Sequence, residues 1–432
     1  MNYRTGGLIV TALCAMYWLW EPDNDRLGDE LKQDFDKDIV DSEKELEMVK
    51  SEISSRQKLG AASPPVSDDS ELTADEQLDA LLVDPCRCQS PDGRIVAFCY
   101  GQVIDGEIVT GRRMNCSIVA AWQQYDQLEL PVQMDVLVET PRFITAAATQ
   151  HWLHLKLLYL SVRQHHPKDD LYIYNLGLSA DQQKQVRTWC SATLVNSINY
   201  TLYSPHVMDE LSEQRWKPIV ISDALLKYPN GFWYMDADVE WLGAGLQLFY
   251  TNVQRKARSP ITLFGVYDHN INIGSSEDAE LITINVFNAN VSCLTEFLPT
   301  DYERLKSHLM VSTKLMFVVK TLPTVDVIRW WLACALHDAC IQPSPVGDEP
   351  ARVNCKHRTP NDTFGSCHDY SDSALNLLMI NKFRNMDQLY SVKNAAFVDL
   401  NLTTKTTKQW KKRRRQLVDM PIYSICHDEE EI

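Results

Sequence analysis

The sequence predicts an α/β fold with a mostly parallel central sheet and flanking helices. Between residues 141 and 240, segments with β-strand character alternate with helical segments, which is the order that produces parallel sheets. One strand, Phe232–Met235, is apolar on both faces, as a strand covered by helices on both sides requires. The 432-residue chain is 45% hydrophobic and 23% charged, a composition typical of globular proteins.

Local signals support each element of this region in turn. Thr149 is placed to cap the first helix, and Ser179 with Gln182 forms a capping box for the second, which we expect to reach about Cys190. Pro218 opens the third helix, because proline suits the first turn. The predicted strands are Arg142–Ala147, Leu171–Tyr174, Ala192–Ile198 and Phe232–Met235.

The N-terminal residues are predicted to bring the chain into the secretory pathway. Residues 1–5 carry Arg4 and form a cytosolic tail, and residues 6–20 form an apolar run that ends in interfacial aromatic side chains. We interpret residues 6–20 as a signal anchor of a single-pass type II protein in the Golgi or ER membrane. The run is shorter than the ~20 residues of a typical span, so a cleaved signal peptide, which would give a secreted protein, and a buried core element are alternatives.

The body of the chain divides by composition. Residues 21–82 hold 19 acidic and 7 basic side chains with few aromatics, which is typical of a stem or linker. Cysteines, aromatics and apolar runs then mark a lumenal domain over residues 83–432. The net charge of −16 argues against a general nucleic-acid binder, which needs a basic surface.

Cysteines and glycosylation sequons agree with a lumenal location. Eleven cysteines lie beyond the anchor, and an oxidising lumen would pair most of them. Because eleven is an odd number, at least one cysteine is free or bonds a second chain, which would give a disulfide-linked dimer. Association through the stem is a second way in which a dimer could form. A zinc site at Cys86 and Cys88 is disfavoured, because these two cysteines are separated by one residue and zinc sites usually have two to four residues between such ligands. The glycan acceptor sequons begin at Asn115, Asn199, Asn290, Asn361 and Asn401.

The most informative motif is Asp236-Ala237-Asp238, which follows the last predicted strand directly. Ligands of open α/β sheets bind beyond the carboxyl ends of strands, and two carboxylates one residue apart can hold a hard divalent cation that bridges to phosphate oxygens. No basic residue stands near the pair in the sequence, so we expect a repulsion between the carboxylates that a divalent cation relieves. The alternative is a polar strand end whose carboxylates cap a turn.

With its short anchor, acidic stem and strand-terminal Asp-Ala-Asp, the chain resembles a type II secretory-pathway glycosyltransferase of the GT-A class. More closely, it resembles a largely uncharacterised, glycosyltransferase-like metazoan family expanded in nematodes, over about residues 140–390. Family members tend to read Cys-His-Arg-Tyr-Asp-Gln-Ser, whereas residues 367–373 read Cys-His-Asp-Tyr-Ser-Asp-Ser. The matching stretches are Leu171–Leu178, Arg215–Pro218, Trp233–Asp236, Cys334–Ile341 and Cys367–Leu378.

The resemblance implies a GT-A-like fold that moves a sugar from a nucleotide-sugar donor to a glycan or glycoprotein acceptor. It implies manganese or magnesium as cofactor, held by Asp236 and Asp238, with Asp236 supporting either the metal or the donor ribose. A late histidine is often a further ligand in this class. His368 is the best placed, and His357 and His427 are weaker candidates.

Further residues are candidates for phosphate binding and for proton transfer. Arg215 and Lys217 precede the Asp-Ala-Asp strand and are candidates for phosphate contact. Asp369 and Asp372 are candidate catalytic bases, although Asp372 equally suits capping of a helix that begins near Ser373. The alternative function is a catalytically inactive relative that binds glycans or chaperones a partner in the lumen, which the altered 367–373 motif supports. A secreted disulfide-rich binding protein is a third interpretation.

Overall fold

The structure is a computed structural model that describes residues 85–126, 142–200, 203, 206–209, 211–265, 268–270, 281–283, 292–341, 370–383, 390–392 and 397–400. The predicted tail, anchor and stem lie outside these ranges, so their boundaries stay predictions. Within the described ranges, no helix combines the length and the apolar character that crossing a membrane requires.

Strands and helices alternate through most of the described chain. The strands are β1 Arg87–Gln89, β2 Ile95–Ala97, β3 Gly101–Ile104, β4 Glu107–Thr110, β5 Phe143–Ala147, β6 Leu171–Asn175, β7 Ala192–Val195, β8 Phe232–Asp236, β9 Glu240–Trp241, β10 Ile261–Phe264, β11 Asp268–Asn270, β12 Leu281–Thr283, β13 Leu315–Val318, β14 Ser391–Val392 and β15 Val398–Asp399. The helices are α1 Val119–Asp126, α2 Trp152–His165, α3 Ala180–Val186, α4 His206–Asp209, α5 Trp216–Lys227, α6 Gln247–Gln254, α7 Ser292–Phe297, α8 Tyr302–Ser307, α9 Leu322–Leu336, α10 Asp338–Ile341 and α11 Tyr370–Phe383.

A seven-stranded sheet forms the centre of the fold, in the order β7-β6-β5-β8-β13-β10-β14. The pairs β5–β6, β6–β7, β5–β8 and β10–β14 are parallel, and β13 alone among the seven runs antiparallel to its neighbours β8 and β10. This arrangement confirms the predicted α/β fold with a mostly parallel sheet and flanking helices.

Both faces of the sheet are buried, as the apolar strand β8 predicts. Successive side chains of a strand point to opposite faces, so Phe232 and Tyr234 lie on one face and Trp233 on the other. Phe232 and Tyr234 belong to a core cluster that includes apolar residues of α5, α9 and α11. On the opposite face, the ring of Trp233 packs 5.6 Å from that of Trp241, which in turn lies 5.1 Å from Phe143. Helices and loops therefore exclude water from both sides of the strand.

The predicted elements between residues 141 and 240 are confirmed, with small differences at their ends. Ser179 and Gln182 form the expected capping box, but α3 ends at Val186 instead of near Cys190. Thr149 does not cap α2, because it lies inside a 3-10 turn, Thr149–His151, that precedes the helix. The Thr149 hydroxyl donates instead to the carbonyl of Gly177, 2.9 Å away.

Disulfide bonds link most cysteines whose side chains the structure describes, as the sequence analysis predicts. Disulfides join Cys86 to Cys99, Cys88 to Cys116 and Cys334 to Cys340, and Cys190 is disulfide-bonded as well. Cys86 and Cys88 each bond a different cysteine, so neither sulfur is available as a zinc ligand.

The chain divides into two compact units, and residues 249–258 do not belong to the larger one, which spans 81–248 and 259–432. Residues 249–258 contain most of α6. Within the segment, the N–H of Arg255 donates to the carbonyl of Thr251 and that of Arg258 to the carbonyl of Asn252, at 3.0 and 3.1 Å.

Candidate active site at the carboxyl ends of β5 and β8

The strand order reverses direction between β5 and β8, and the sequence motif lies at that point. The chain runs from β5 through α2 to β6 and then β7 on one side, and it returns to place β8 on the other side of β5. Ala146 of β5 pairs with Asp236 of β8, so the two strands end side by side. Open α/β sheets bind ligands in the crevice that such a reversal leaves beyond the strand ends. Asp236 and Asp238 border this crevice.

Both carboxylate oxygens of Asp236 are bonded to neighbouring side chains. The Lys217 ammonium lies 3.0 Å from Oδ1 and 3.1 Å from Oδ2, and the Tyr234 hydroxyl donates to Oδ1 at 2.7 Å. The Lys217 side chain is 0% exposed. It enters the site from the first turn of α5, which packs against β5 and β8. Asp236 is therefore the counter-ion of a buried lysine.

Lys217 also connects Asp236 to the N-terminal end of α11. Its ammonium donates to the hydroxyl of Thr313 at 2.9 Å, and that hydroxyl donates to the carboxylate of Asp372. The backbone N–H of Thr313 approaches the same carboxylate at 3.4 Å. Asp372 is 2% exposed and stands in the first turn of α11, where a negative charge is favoured by the helix dipole.

Asp238 has its own lysine partner. The Lys314 ammonium lies 2.5 Å from Oδ2 of Asp238 and donates to the carbonyl of Leu400 at 3.3 Å. Lys314 reaches the motif because it directly precedes β13, the antiparallel neighbour of β8. The backbone also joins the two segments, since the Asp236 N–H donates to the Lys314 carbonyl at 2.7 Å. Both side chains of this ion pair are 19% exposed, so it borders solvent.

The Asp-Ala-Asp pair has no basic neighbour in the sequence, but the fold gives each carboxylate a lysine partner. The partners come from 19 residues before Asp236 and 76 residues after Asp238, and the sheet and α5 bring them together. Each carboxylate, as arranged, is paired with an ammonium group, so a divalent cation would compete with a lysine for it. Within the described ranges, no group of three His, Cys, Asp or Glu side chains could hold a metal ion.

Burial sets the protonation behaviour of the centre. It raises the pKa of Asp236 above its ordinary value, an effect that Lys217 opposes and Asp238 reinforces. Burial likewise raises the pKa of Tyr234 well above that of a free phenol, and the charge of Asp236 adds to this effect. Tyr234 therefore stays protonated at neutral pH and acts as a hydrogen-bond donor to Asp236.

His151 is a further residue of the crevice, and sequence reasoning missed it. It ends the 3-10 turn after β5, and its Nδ1 accepts the backbone N–H of Ala148 at 3.3 Å. Burial lowers the pKa of His151, while the charges of Asp236 and Asp238 act in the opposite direction. The imidazole is thus neutral at pH 7 and lies within the field of the two carboxylates. No sequence motif contains His151. The one signal that could have identified it is its position just beyond the end of β5, where the strand order reverses.

Arg215 is buried and all of its described contacts are with protein groups. Its Nε donates to Glu213 at 2.6 Å, and its terminal nitrogens donate to the carbonyls of Ala335, His337 and Asp338 at 3.2, 2.9 and 3.1 Å. Two of these carbonyls, those of Ala335 and His337, stand at the C-terminal end of α9, where a cation is favoured. The arginine joins the start of α5 to the end of α9. These hydrogen bonds to protein groups do not support the predicted role of Arg215 in phosphate binding, which stays a prediction.

The remaining predicted site residues divide into two groups. His357, His368, Asp369 and His427 lie outside the described residues, so their predicted roles stay predictions. Asp372 lies near the centre, buried in the first turn of a helix that begins at Tyr370, and its carboxylate accepts hydrogen bonds from Thr313, which lies outside that helix. Its two predicted roles, catalytic base and helix cap, therefore stay predictions. The structure thus brings together Lys217, Asp236, Asp238 and Asp372 from the predicted set, and it adds Lys314, Thr313, Tyr234 and His151.

Comparison with known proteins gives a partial sequence match and low-identity structural matches. The family described as "Protein of unknown function (DUF1647)" matches residues 86–222, and no curated protein sequence matches. The galactosyltransferase LgtC, solved with donor and acceptor sugar analogues, is 10% identical over 65% of this chain and 97% of its own, with a TM-score of 0.34. The glycosyltransferase GlyE of Streptococcus pneumoniae TIGR4 is 12% identical over 33% of each chain, with a TM-score of 0.21. The bifunctional glycosyltransferase WbbM is 8% identical over 45% of this chain and 35% of its own, with a TM-score of 0.27.

Proposed function

We propose that this protein is a glycosyltransferase that moves a sugar from a nucleotide-sugar donor to a glycan or glycoprotein acceptor. The observation that carries the proposal is the position of Asp236 and Asp238. They lie at the carboxyl end of β8, beside β5, where the strand order reverses and open α/β sheets bind nucleotides. Of the side chains around this pair, Lys314 borders solvent and His151 is only partly buried, so these two can bind a polar, charged ligand.

The proposed reaction breaks the bond between the anomeric carbon and the diphosphate oxygen of the donor. A bond forms from that carbon to the acceptor hydroxyl oxygen, whose proton is released, and the nucleoside diphosphate leaves. Negative charge develops on the departing diphosphate, and a preorganised cation stabilises it. Lys314 is suited to this task, because its ammonium borders solvent and a diphosphate can compete with Asp238 for it.

Manganese or magnesium, which the sequence predicted, stays outside this mechanism. The predicted metal-binding carboxylates are occupied by Lys217 and Lys314, and the predicted third ligand His368 lies outside the described residues. A divalent cation would have to displace Lys314 before it could reach Asp238. No step of the proposed reaction depends on that exchange.

The second candidate function is a lumenal glycan-binding or chaperone protein without turnover. Two observations favour it: the ion pairs already neutralise the Asp-Ala-Asp carboxylates, and Asp372 is too buried to reach an acceptor hydroxyl. Turnover separates the two candidates. For either one, we propose a type II topology in the Golgi or ER membrane, supported by the disulfides and by exposed sequon residues Asn115 and Asn199.

A nucleotide-sugar panel tests the proposal. The full chain is produced in a secretory host and incubated with each common donor, with and without acceptor glycans, and release of nucleoside diphosphate is measured. We expect one donor to be consumed, Lys314→Met to abolish consumption because it removes the proposed cation, and Asp181→Asn, which changes an exposed carboxylate of α3, to leave consumption intact. Failure of every donor, with the wild-type protein folded, would favour the inactive candidate.

A further inference from the structure

A second concave surface lies between the β3–β4 hairpin and the segment that links α7 to α8. Its volume is about 410 Å³, within the range of small-molecule sites. We call it the hairpin cavity. Its lining includes Ile104, Asp105, Val109, Pro299, Tyr302 and Glu303.

The hairpin is held tightly against the opposite wall. A Cβ atom added at Gly111 would overlap the carbonyl oxygen of Phe297, so only glycine permits this approach of the two backbones. The next residue, Arg112, donates its backbone N–H to Glu296 at 2.7 Å and holds its guanidinium 5.3 Å from the ring centre of Phe297. The distance between the two walls is therefore fixed by main-chain contacts.

Asn381, near the end of α11, joins both walls to the core. Its carbonyl accepts the side chain of Gln102 from the hairpin at 3.2 Å. Its side chain donates to the carbonyl of Pro299 at 3.0 Å and accepts the hydroxyl of Thr300 at 2.6 Å. The disulfides Cys86–Cys99 and Cys88–Cys116 further restrain the residues on either side of the hairpin. A cavity built in this way is preformed, which lowers the entropic cost of binding.

The lining combines an aromatic ring with apolar side chains and carboxylates. Tyr302 is 47% exposed, and its hydroxyl is fixed by a 3.1 Å hydrogen bond to Thr295. Ile104 and Val109 supply apolar surface on the hairpin side. Asp105 supplies a carboxylate that can accept hydrogen bonds from hydroxyl groups, whereas Asp301 caps α8 and Glu303 is ion-paired with Lys306. An apolar ring face beside hydroxyl-binding groups matches the two kinds of surface of a pyranose ring.

The hairpin cavity is separated from the candidate active site by most of α11. Asp372, which belongs to the active-site network, stands in the first turn of this helix, and Asn381 follows nine residues later. At 1.5 Å per residue, the two positions are about 14 Å apart along the helix. A ligand in the hairpin cavity therefore does not replace the donor.

We propose that the hairpin cavity binds a neutral saccharide unit of the acceptor glycan, remote from the hydroxyl group that reacts. The choice of a neutral sugar follows from the charges of the described lining, which holds carboxylates and no lysine or arginine as counter-ion for a sialylated or sulfated glycan. The identification of the ligand as part of an acceptor rests on the proposed function, whereas the binding of a saccharide does not. A basic peptide is the competing occupant, because the same carboxylates attract it.

A glycan array probed with the full-length protein tests this inference. The array carries neutral oligosaccharides, their sialylated and sulfated counterparts, and Lys- and Arg-rich peptides. We expect neutral glycans to bind and anionic ones to be rejected. Tyr302→Ala and Val109→Asp, which alter exposed side chains on opposite walls, should each weaken neutral-glycan binding by about tenfold or more. Leu322→Ala, an equally exposed apolar position elsewhere, should bind as the wild type does.

Three results would overturn the inference: no neutral-glycan signal, a signal that both cavity variants retain, or a signal from basic peptides that the cavity variants remove. Lys314→Met separates the two proposals, since it should leave glycan binding on the array unchanged while it removes donor turnover. If glycans bind in the cavity but no donor is consumed, the saccharide site stands and the proposed function fails. If a donor is consumed but the cavity variants bind glycans normally, the proposed function stands and the saccharide site fails.

Discussion

The Lys217 ammonium lies between the two carboxylate oxygens of Asp236, 3.0 Å from Oδ1 and 3.1 Å from Oδ2. This contact changes the interpretation of both residues. Asp236 loses the free charge that the sequence suggested, and Lys217 is buried beneath the strand end instead of facing a solvent-exposed phosphate. The pair also couples α5 to β8, and through Thr313 to α11, so the predictions that follow begin with it.

Replacing Lys217 with Met should destabilise the protein. The substitution leaves the largely buried Asp236 carboxylate without its counter-ion, and breaking a buried pair costs about 3–5 kcal/mol. The double variant Lys217→Met/Asp236→Asn should recover part of this loss, because no unpaired charge remains. Chemical denaturation of the wild type, both single variants and the double variant measures the coupling. Additive losses would show that the two side chains do not interact in solution.

Replacing Lys314 with Met should strengthen the response to Mn²⁺. The variant frees Asp238 from its ion pair, so a divalent cation no longer competes with an ammonium group. The loss of this solvent-bordering pair should itself cost about 1 kcal/mol or less. Melting temperatures recorded over a manganese titration give the comparison. Lys184→Met, at an exposed and distant position, is the matched control, and equal responses in all three proteins would contradict the competition.

Replacing Arg215 with Ala should lower stability and not act selectively on nucleotide binding. The variant removes the Arg215 counter-ion of the buried Glu213 carboxylate and the donors to three carbonyls at the α9–α10 junction, a loss of about 3–5 kcal/mol. Urea denaturation measures the effect. A phosphate-binding role predicts the contrary pattern, in which the protein unfolds normally but no longer responds to a nucleoside diphosphate.

His151 should make stability depend on pH in the weakly acidic range. Its pKa is lowered in the folded state, so the unfolded chain takes up the proton first as the pH falls below the ordinary value of about 6.5. The stability that the neutral imidazole confers is present above that pH and is lost as the pH falls through the lowered pKa. Comparing His151→Gln with the wild type between about pH 7 and 5 isolates this contribution. A constant difference across the range would exclude a shifted pKa.

The proposed type II topology predicts a glycosylated protein that stays in membranes. Asn115 and Asn199 are exposed and belong to sequons, so treatment with an endoglycosidase should increase the mobility of the full-length protein from cells. Carbonate washing should leave it in the membrane fraction. A glycosylated protein that washes off would show that residues 6–20 are a cleaved signal peptide. A protein with no glycan would argue against the lumenal location.

The sequence by itself determined the α/β class, the strands from β5 to β8 and the position of Asp236 and Asp238 at the end of β8. These features depend on local properties: apolar periodicity, capping residues such as Ser179 and Gln182, and the polarity change after a buried strand. Each of them can be recognised within a short window of residues. The motif was therefore visible before its surroundings were known.

Only the tertiary structure decided the charge state and the neighbours of the site. Lys314 reaches Asp238 because an antiparallel strand from 76 residues later joins the sheet beside β8, and His151 joins the crevice because β5 pairs with β8. Arg215 is buried because the end of α9 packs over the start of α5. Electrostatic and hydrogen-bond energies depend on distance through space and on burial, and the sequence specifies neither until the strands have paired.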